Sequence, residues 1–109
     1  MKRIRRDDLT FRGSSHHFVG ADHGVDMSAF LYNGDVGSGP GPHRHPYDEI
    51  QFILEGRARY VVNGEAFEAG AGEIIVVEAG EVHSFTTIEA PLVQIDVHMN
   101  ARFVQENVG

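Results

Sequence analysis

The sequence contains no cysteine. This absence excludes disulfide bonds, zinc sites made of thiolates and catalysis by a thiol nucleophile. A metal ion bound by this chain must therefore be held by nitrogen and oxygen ligands. The sequence also lacks any apolar run near the ~20 residues that a membrane-spanning helix requires, so we expect no membrane partner.

Basic residues are also scarce. Nine Lys and Arg stand against sixteen Asp and Glu, which gives a formal net charge of −7. Because nucleic-acid affinity rests largely on neutralising phosphates with Lys and Arg, we expect no nucleic-acid partner. A basic cluster at residues 2–6 is followed by Asp7 and Asp8 and predicts a solvated terminal face. No apolar segment follows it as in a secretory signal, so a cytoplasmic location is expected.

The pattern of the chain is that of an all-β protein. Short segments with period-two alternation are separated by Gly, Pro and Asn, and helical periodicity is scarce. Asn63-Gly64 predicts a two-residue hairpin turn, and Ala90-Pro91 predicts the last turn. The predicted strands are 26–32, 41–45, 49–54, 58–62, 65–68, 74–77, 83–88 and 92–99. Such a series of short strands predicts a sandwich or a barrel of the jelly-roll type.

With 109 residues, the chain has the length of one domain with a single core. We expect an N-terminal segment over residues 1–24, either an arm or an edge strand. The barrel should occupy residues 25–99. A C-terminal tail over residues 100–109 should be either a short helical turn or a docked segment.

The most informative local pattern is His43-Arg-His45. On a strand, residues two apart project from the same face about 6.6 Å from each other, so both imidazoles can bind one metal ion. Pro46 cannot donate to a central ladder, so that strand must end there. The chain then turns and re-enters at Glu49, which can aim its carboxylate at the same point. From the residues alone, the alternative of scattered surface histidines stays open.

The residues around His43 and His45 favour a metal site over scattered surface histidines. Gly37, five residues, His43-x-His45, three residues, Glu49, six residues and Gly56 closely resemble the first sequence motif of the cupin superfamily. Every position of that motif is filled at the expected spacing. The resemblance is to the small, single-domain cupins.

A second motif of that superfamily is matched more loosely by residues 72–87. His83 is in register, whereas Glu78 and Thr87 stand where the family has proline and asparagine. These departures concern a turn and a structural polar position rather than the ligand. The resemblance implies a double-stranded β-helix, or jelly-roll barrel, that binds one divalent metal ion: Fe, Mn, Ni, Co or Zn. The ligands that it implies are His43, His45, Glu49 and His83.

Strand parity predicts what lies beside these ligands. Gln51 shares a face with Glu49 and is a candidate pocket residue, and Phe85 shares a face with His83 and is a candidate pocket wall. Ordinary core packing is an equal alternative for Phe85. Tyr47, Tyr60 and His98 are the groups that could serve as an acid or base, and we place Tyr60 in or beside the pocket.

The remaining positions predict surfaces rather than ligands. Ile50, Phe52 and Leu54 alternate with Glu49 and Gln51 and should face outward, where a second subunit would cover them. A homodimer is therefore expected. His98 is predicted as a surface or pocket-rim residue rather than a further ligand. His16, His17 and His23 bear no spacing relation to His43 and are predicted as non-ligands.

Two functions are compatible with these features. The first is a metal-dependent dioxygenase or related oxidoreductase acting on a small substrate that chelates through oxygen. Redox chemistry at a metal needs no protein base, and the sequence offers few acids or bases at the site. The alternative is a non-enzymatic module that binds or senses a small molecule through its bound metal.

Overall fold

The computed structural model of the protein describes residues 1–109, and strands dominate it. A single sheet of nine strands curls on itself, which confirms the all-β prediction. Two single turns of 3₁₀ helix lie at Arg6–Asp8 and Gly20–Asp22, and no helix has the length and hydropathy to cross a bilayer. The strands are β1 Thr10–Arg12, β2 Ser15–Phe18, β3 Ser28–Gly34, β4 His43–Arg44, β5 Glu49–Val62, β6 Glu65–Gly70, β7 Ile74–Val77, β8 His83–His98 and β9 Glu106–Asn107.

Two long strands form the centre of the sheet. β5 has 14 residues and β8 has 16, and they run antiparallel along most of their length. The sequence predicted each of them as two separate strands, and that prediction was wrong. Their pairing shifts register on both sides of Gly56, whose φ of +83° lets β5 bend without ending.

The turn predicted at Ala90-Pro91 was wrong for a related reason. Pro91 lies inside β8, between Glu89, which pairs with Arg57, and Val93, which pairs with Glu55. At such an irregularity a proline does not interrupt the ladder, because no hydrogen bond is required of its nitrogen. The bend of β8 therefore faces the bend of β5.

The ends of the chain also join the sheet. β1 and β2 form its edge beside β3, and β9 pairs with β4. The strand predicted over residues 41–45 is reduced to β4. Asn63 and Gly64 have φ of 50° and 83° between the paired residues Val62 and Glu65, which confirms the predicted hairpin turn.

The concave face of the sheet holds the core. Glu49, Gln51 and Ile53 are each 2 % exposed, so the predicted parity of β5 is confirmed. Phe85 and Thr87 are likewise buried beside His83. Beyond them lies the apolar core, formed by Tyr32, Ile53, Ala58, Tyr60, Ala69, Phe85 and Leu92.

The convex face carries a continuous apolar ladder. Phe52 of β5 lies between Ile74 of β7 and Ile95 of β8, and the next row repeats the arrangement. Ile74 and Val76 are 60 % and 59 % exposed, so this surface is open to solvent in the isolated chain. We call it the outer apolar face: Ile50, Phe52, Leu54, Ile74, Val76, Ile95 and Val97.

Candidate metal centre

The structure brings together the four residues that the sequence predicts as metal ligands. His43 lies in β4 with His45 directly after it, Glu49 begins β5, and His83 begins β8. Pairing of β4 with β8 sets His43 directly opposite His83. All four side chains are buried, and one ligand atom from each lies within 4.8 Å of all the others.

Backbone carbonyls fix the orientation of the three imidazoles. A carbonyl oxygen only accepts hydrogen bonds, so the Nδ1 atom of each ring must carry the donated proton. The Nε2 atoms therefore turn toward one another, as in protein metal sites. The Nδ1–oxygen distances are 2.7 Å from His43 to Gly41, 2.7 Å from His45 to Val104 and 3.0 Å from His83 to Glu81.

Glu49 sits where these Nε2 atoms converge. Its Oε1 lies 3.1 Å from Nε2 of His45 and 3.1 Å from Nε2 of His83. Burial raises the pKa of Glu49, but hydrogen bonds from His45 and His83, which require a proton between each Nε2 and the carboxylate, outweigh it and hold that pKa below its usual range when no cation is bound. Lone pairs of neutral imidazoles and of a carboxylate repel unless a cation or a proton lies between them. Because Nε2 of His45 is buried without a hydrogen bond, the donor set fits a divalent metal ion.

Gln51 supports Glu49 from the same strand. Its Nε2 donates a hydrogen bond of 2.8 Å to Oε2 of Glu49. A carboxylate accepts only, so this bond determines which end of the amide faces Glu49. The other end, Oε1, is buried without a hydrogen-bond partner. Gln51 also lines the pocket described below.

His98 is not a surface residue, and that part of the prediction was wrong. Its side chain is 1 % exposed and its Nε2 lies 3.7 Å from Oε1 of Glu49. The sequence showed an apolar and a polar face for this part of β8 but not which one turns inward. The polar face of β8 turns inward, because Ile95 and Val97 on the other face belong to the outer apolar face. Burial lowers the pKa of His98 to about 4, which leaves the ring neutral at physiological pH.

The same inward face carries an acid that the sequence analysis did not single out. Asp96 is 4 % exposed and accepts a 2.6 Å hydrogen bond from Nε2 of Gln94, whose Oε1 accepts from the hydroxyl of Tyr60. Burial raises the pKa of Asp96 well above its usual range. Asp96 shares strand parity with His98, and this was the available signal. Tyr60 lies behind the pocket, within the apolar core, rather than on its wall.

A cavity of about 280 Å³ opens beside the cluster. Glu49, His43 and His98 line it together with Phe85, so Phe85 serves both the pocket and the core. Residues 12–15 and 39–40 also line it. His16, His17 and His23 stand outside the cluster and pack against aromatic rings instead.

Comparison with known proteins agrees with this architecture. The family model of the cupin domain matches residues 30–98. An uncharacterized protein of Streptomyces coelicolor is 34 % identical over 67 residues, which are 62 % of this chain and 64 % of the relative. The chain thus spans less than two thirds of that relative's length.

Solved structures share the fold at low sequence identity. A Klebsiella pneumoniae protein with a double-stranded β-helix domain superposes with a TM-score of 0.79 at 16 % identity, over 100 % of this chain and 98 % of its own. A Bacillus subtilis oxalate decarboxylase with Mn(II) centres gives 0.77 at 21 % identity, over 93 % of this chain and 29 % of the decarboxylase. The predicted double-stranded β-helix is thereby confirmed.

Proposed function

Because the chain belongs to the cupin family, we propose that it is a metal-dependent oxidoreductase of the dioxygenase type. Its substrate is a small molecule that chelates the metal through oxygen. The observation that carries the proposal is the position of the buried His/Glu cluster, two members of which, His43 and Glu49, line an open pocket.

His43, His45, Glu49 and His83 would hold the ion. Four protein ligands leave room for substrate on an ion that accepts six, and a bound iron or manganese supplies Lewis-acid and redox chemistry. Fe, Mn, Ni, Co and Zn all suit nitrogen and oxygen ligands. Among these ions, the Mn(II) centres of the Bacillus subtilis decarboxylase support manganese.

The protein groups around the cluster orient rather than react. The backbone carbonyls of Gly41, Glu81 and Val104 keep the imidazole lone pairs directed inward, and Gln51 holds Glu49 in place. Phe85 excludes water from one side of the pocket. Such preorganisation positions a chelating substrate without any movement of the ligands.

Asp96 favours a second candidate, a decarboxylase. Sequence reasoning preferred redox chemistry because it found no acid near the metal ligands, and Asp96 removes that premise. A buried carboxylic acid on the pocket wall can deliver the proton that replaces a lost carboxylate. The oxalate decarboxylase of Bacillus subtilis supports this candidate through its fold.

One experiment separates these functions. Oxygen uptake and CO₂ release by the Fe²⁺ and Mn²⁺ forms are followed with catechols, flavonols, β-diketones and hydroxy acids. We expect oxygen uptake above that of the His83→Ala variant with at least one of them. Release of CO₂ without oxygen uptake would make the protein a decarboxylase. Binding by calorimetry with neither gas exchanged would leave the non-enzymatic binding module.

We further propose that a second copy of the chain covers the outer apolar face. That face carries no charged side chain, and β7 at its margin pairs only with β5, so both its apolar surface and its edge are free. We expect a sedimentation mass of twice 12.0 kDa at micromolar concentration.

The variant Ile74→Lys should be monomeric, because it introduces a charge into the outer apolar face. The control Val36→Lys changes another apolar residue, 67 % exposed and outside that face, and should remain dimeric. A monomeric mass for the unmodified chain would contradict the proposal.

A further inference from the structure

The pocket beside the cluster carries polar groups at defined positions, which restrict what it can bind. Its lining surface is mainly apolar, as is usual for pockets that bind small molecules, but the side chains of Glu49, Gln51 and His98 also line it. Two of its polar groups are buried and have no hydrogen-bond partner, namely Oε1 of Gln51 and Nε2 of His98. An unpaired buried polar group is costly, so a ligand that pairs both is favoured over one that pairs neither.

Gln51 requires a donor from the ligand. Its amide nitrogen is committed to Glu49, so the atom that faces away from Glu49 is a carbonyl oxygen, which can only accept. A ligand must therefore present an O–H or N–H group to it. An ether or a ketone oxygen at the same place would leave Oε1 unpaired.

His98 supplies a donor in return. The hydroxyl oxygen of Tyr47 accepts from the backbone N–H of Val104 at 3.3 Å and lies 2.8 Å from Nδ1 of His98. Nδ1 of His45, the other ring nitrogen near this hydroxyl, already donates to the Val104 carbonyl. Nδ1 of His98 is then the remaining acceptor for the Tyr47 hydroxyl proton, so we assign that proton to this hydrogen bond and the proton of the neutral ring to Nε2. Nε2 of His98 is thus available as a donor.

Arg12 contributes a positive charge at the mouth. It lies opposite Ser15 in the β1–β2 pair, and Ser15 lies opposite Tyr32 of β3, so all three share the concave face. Arg12 lines the pocket, and its guanidinium has neither an ion pair nor a hydrogen bond within the chain.

No free carboxylate neutralises Arg12 in the pocket. Glu49 belongs to the metal cluster, and Asp96 accepts a hydrogen bond from Gln94 and forms no ion pair with Arg12. The overall charge of −7 is screened beyond about 8 Å at physiological salt, so the local charge decides which ligand is attracted. The pocket therefore selects an anionic group in addition to a hydrogen-bond donor.

We propose that the pocket binds a small hydroxycarboxylate with two carboxylate groups, its hydroxyl donating to Gln51, an oxygen accepting from His98 and one of the two carboxylates paired with Arg12. The inference rests on the proposed metal site, because the metal would hold the chelating oxygens. It specifies the substrate class for either candidate reaction.

The hydroxyl is tested with two ligands that differ in one methyl group. Calorimetry of the Zn²⁺-loaded protein compares malate with 2-methoxysuccinate, which keeps both carboxylates and the oxygen but cannot donate. We expect malate to bind at least about tenfold more tightly, because the ether leaves Oε1 of Gln51 unpaired. Equal affinity for the two ligands would overturn the role of Gln51 and with it the proposal.

The charge is tested with a matched pair of variants. Arg12→Gln should weaken malate binding about tenfold or more but leave 2-hydroxybutyrate, which has one carboxylate, nearly unchanged. Arg59→Gln removes an equal charge from an exposed position on β5 outside this pocket and should change neither affinity. If Arg12→Gln and Arg59→Gln behave alike, the proposal is wrong.

Titration with Zn²⁺ alone keeps this inference separate from the proposed function. If the protein binds no metal, the proposed function fails and the hydroxycarboxylate site fails with it. If Zn²⁺ binds but malate shows no advantage over 2-methoxysuccinate, only the hydroxycarboxylate site is overturned.

Discussion

Replacing either His45 or His83 by alanine is expected to lower the affinity for divalent metal by more than about 100-fold, since changes to residues that merely support a ligand already cost 10–100-fold. Each of these imidazoles presents its Nε2 to Glu49 Oε1 at 3.1 Å, and each is held in that orientation by a backbone carbonyl. Alanine removes the nitrogen, and no nearby group can replace it.

The loss should also appear as a loss of metal-dependent stability. A ligand at 1,000 times its Kd stabilises the folded state by about 4 kcal/mol, which raises the melting temperature of a domain of this size by roughly 15–25 °C. That rise should occur in the unmodified protein and vanish in both variants. Calorimetric titration with Mn²⁺ or Zn²⁺, followed by thermal unfolding with and without metal, measures both quantities.

The control is His16→Ala, which removes a histidine that packs on Phe11 away from the cluster. It should bind metal like the unmodified protein. Unchanged metal occupancy in both the His45→Ala and the His83→Ala variants would refute the assignment of the metal centre, whatever their melting temperatures.

The sequence predicted most of the cluster because its determinants are local or periodic. His43 and His45 share a face through a spacing of two, and Pro46 forces the break after which Glu49 re-enters. The burial of Gln51 and Phe85 follows from the same parity. His83 is remote in sequence, and only the second motif identified it as a partner of the others.

The parts that were missed depend on contacts between distant residues. Val104 lies 59 residues from His45, yet its carbonyl holds the His45 ring, and Tyr47 reaches His98 across 51 residues. No local sequence pattern predicts contacts between residues so far apart in the chain. The inward orientation of Asp96 and His98 likewise depends on the pairing of β8 with β5. That pairing makes the opposite face of β8 part of the outer apolar face, and the sequence of β8 alone does not reveal it.

The sequence also did not predict that β5 and β8 are continuous bent strands, although Gly56, where β5 bends, is part of the first motif. Gly56 was recognised by its spacing, but a glycine between apolar segments is as typical of a turn as of a bulge. In this structure the close approach of β8 distinguishes the bulge from a turn. That approach exists only after β5 and β8 have paired, so the residues next to Gly56 in the sequence do not indicate it.

Substituting Gly56 by alanine should therefore destabilise the fold on the order of 4 kcal/mol, near the upper end for a single substitution. A Cβ at this position would lie 2.5 Å from the carbonyl oxygen of Glu89 and would also collide with that of Pro91. Both are backbone atoms of β8, so they cannot move aside without breaking the central strand pair. Urea unfolding at equilibrium measures the loss.

Gly64→Ala is the matched control because Gly64 has the same φ of +83° as Gly56 but no atom within 4 Å of an added Cβ. Alanine there should cost only the strain of a left-handed backbone, about 1–2 kcal/mol. The difference between the two variants isolates the collision with β8 from the conformational strain that they share. Equal losses of stability would mean that β8 moves to accommodate the added methyl group. Glycine would then be needed at position 56 only for its positive φ.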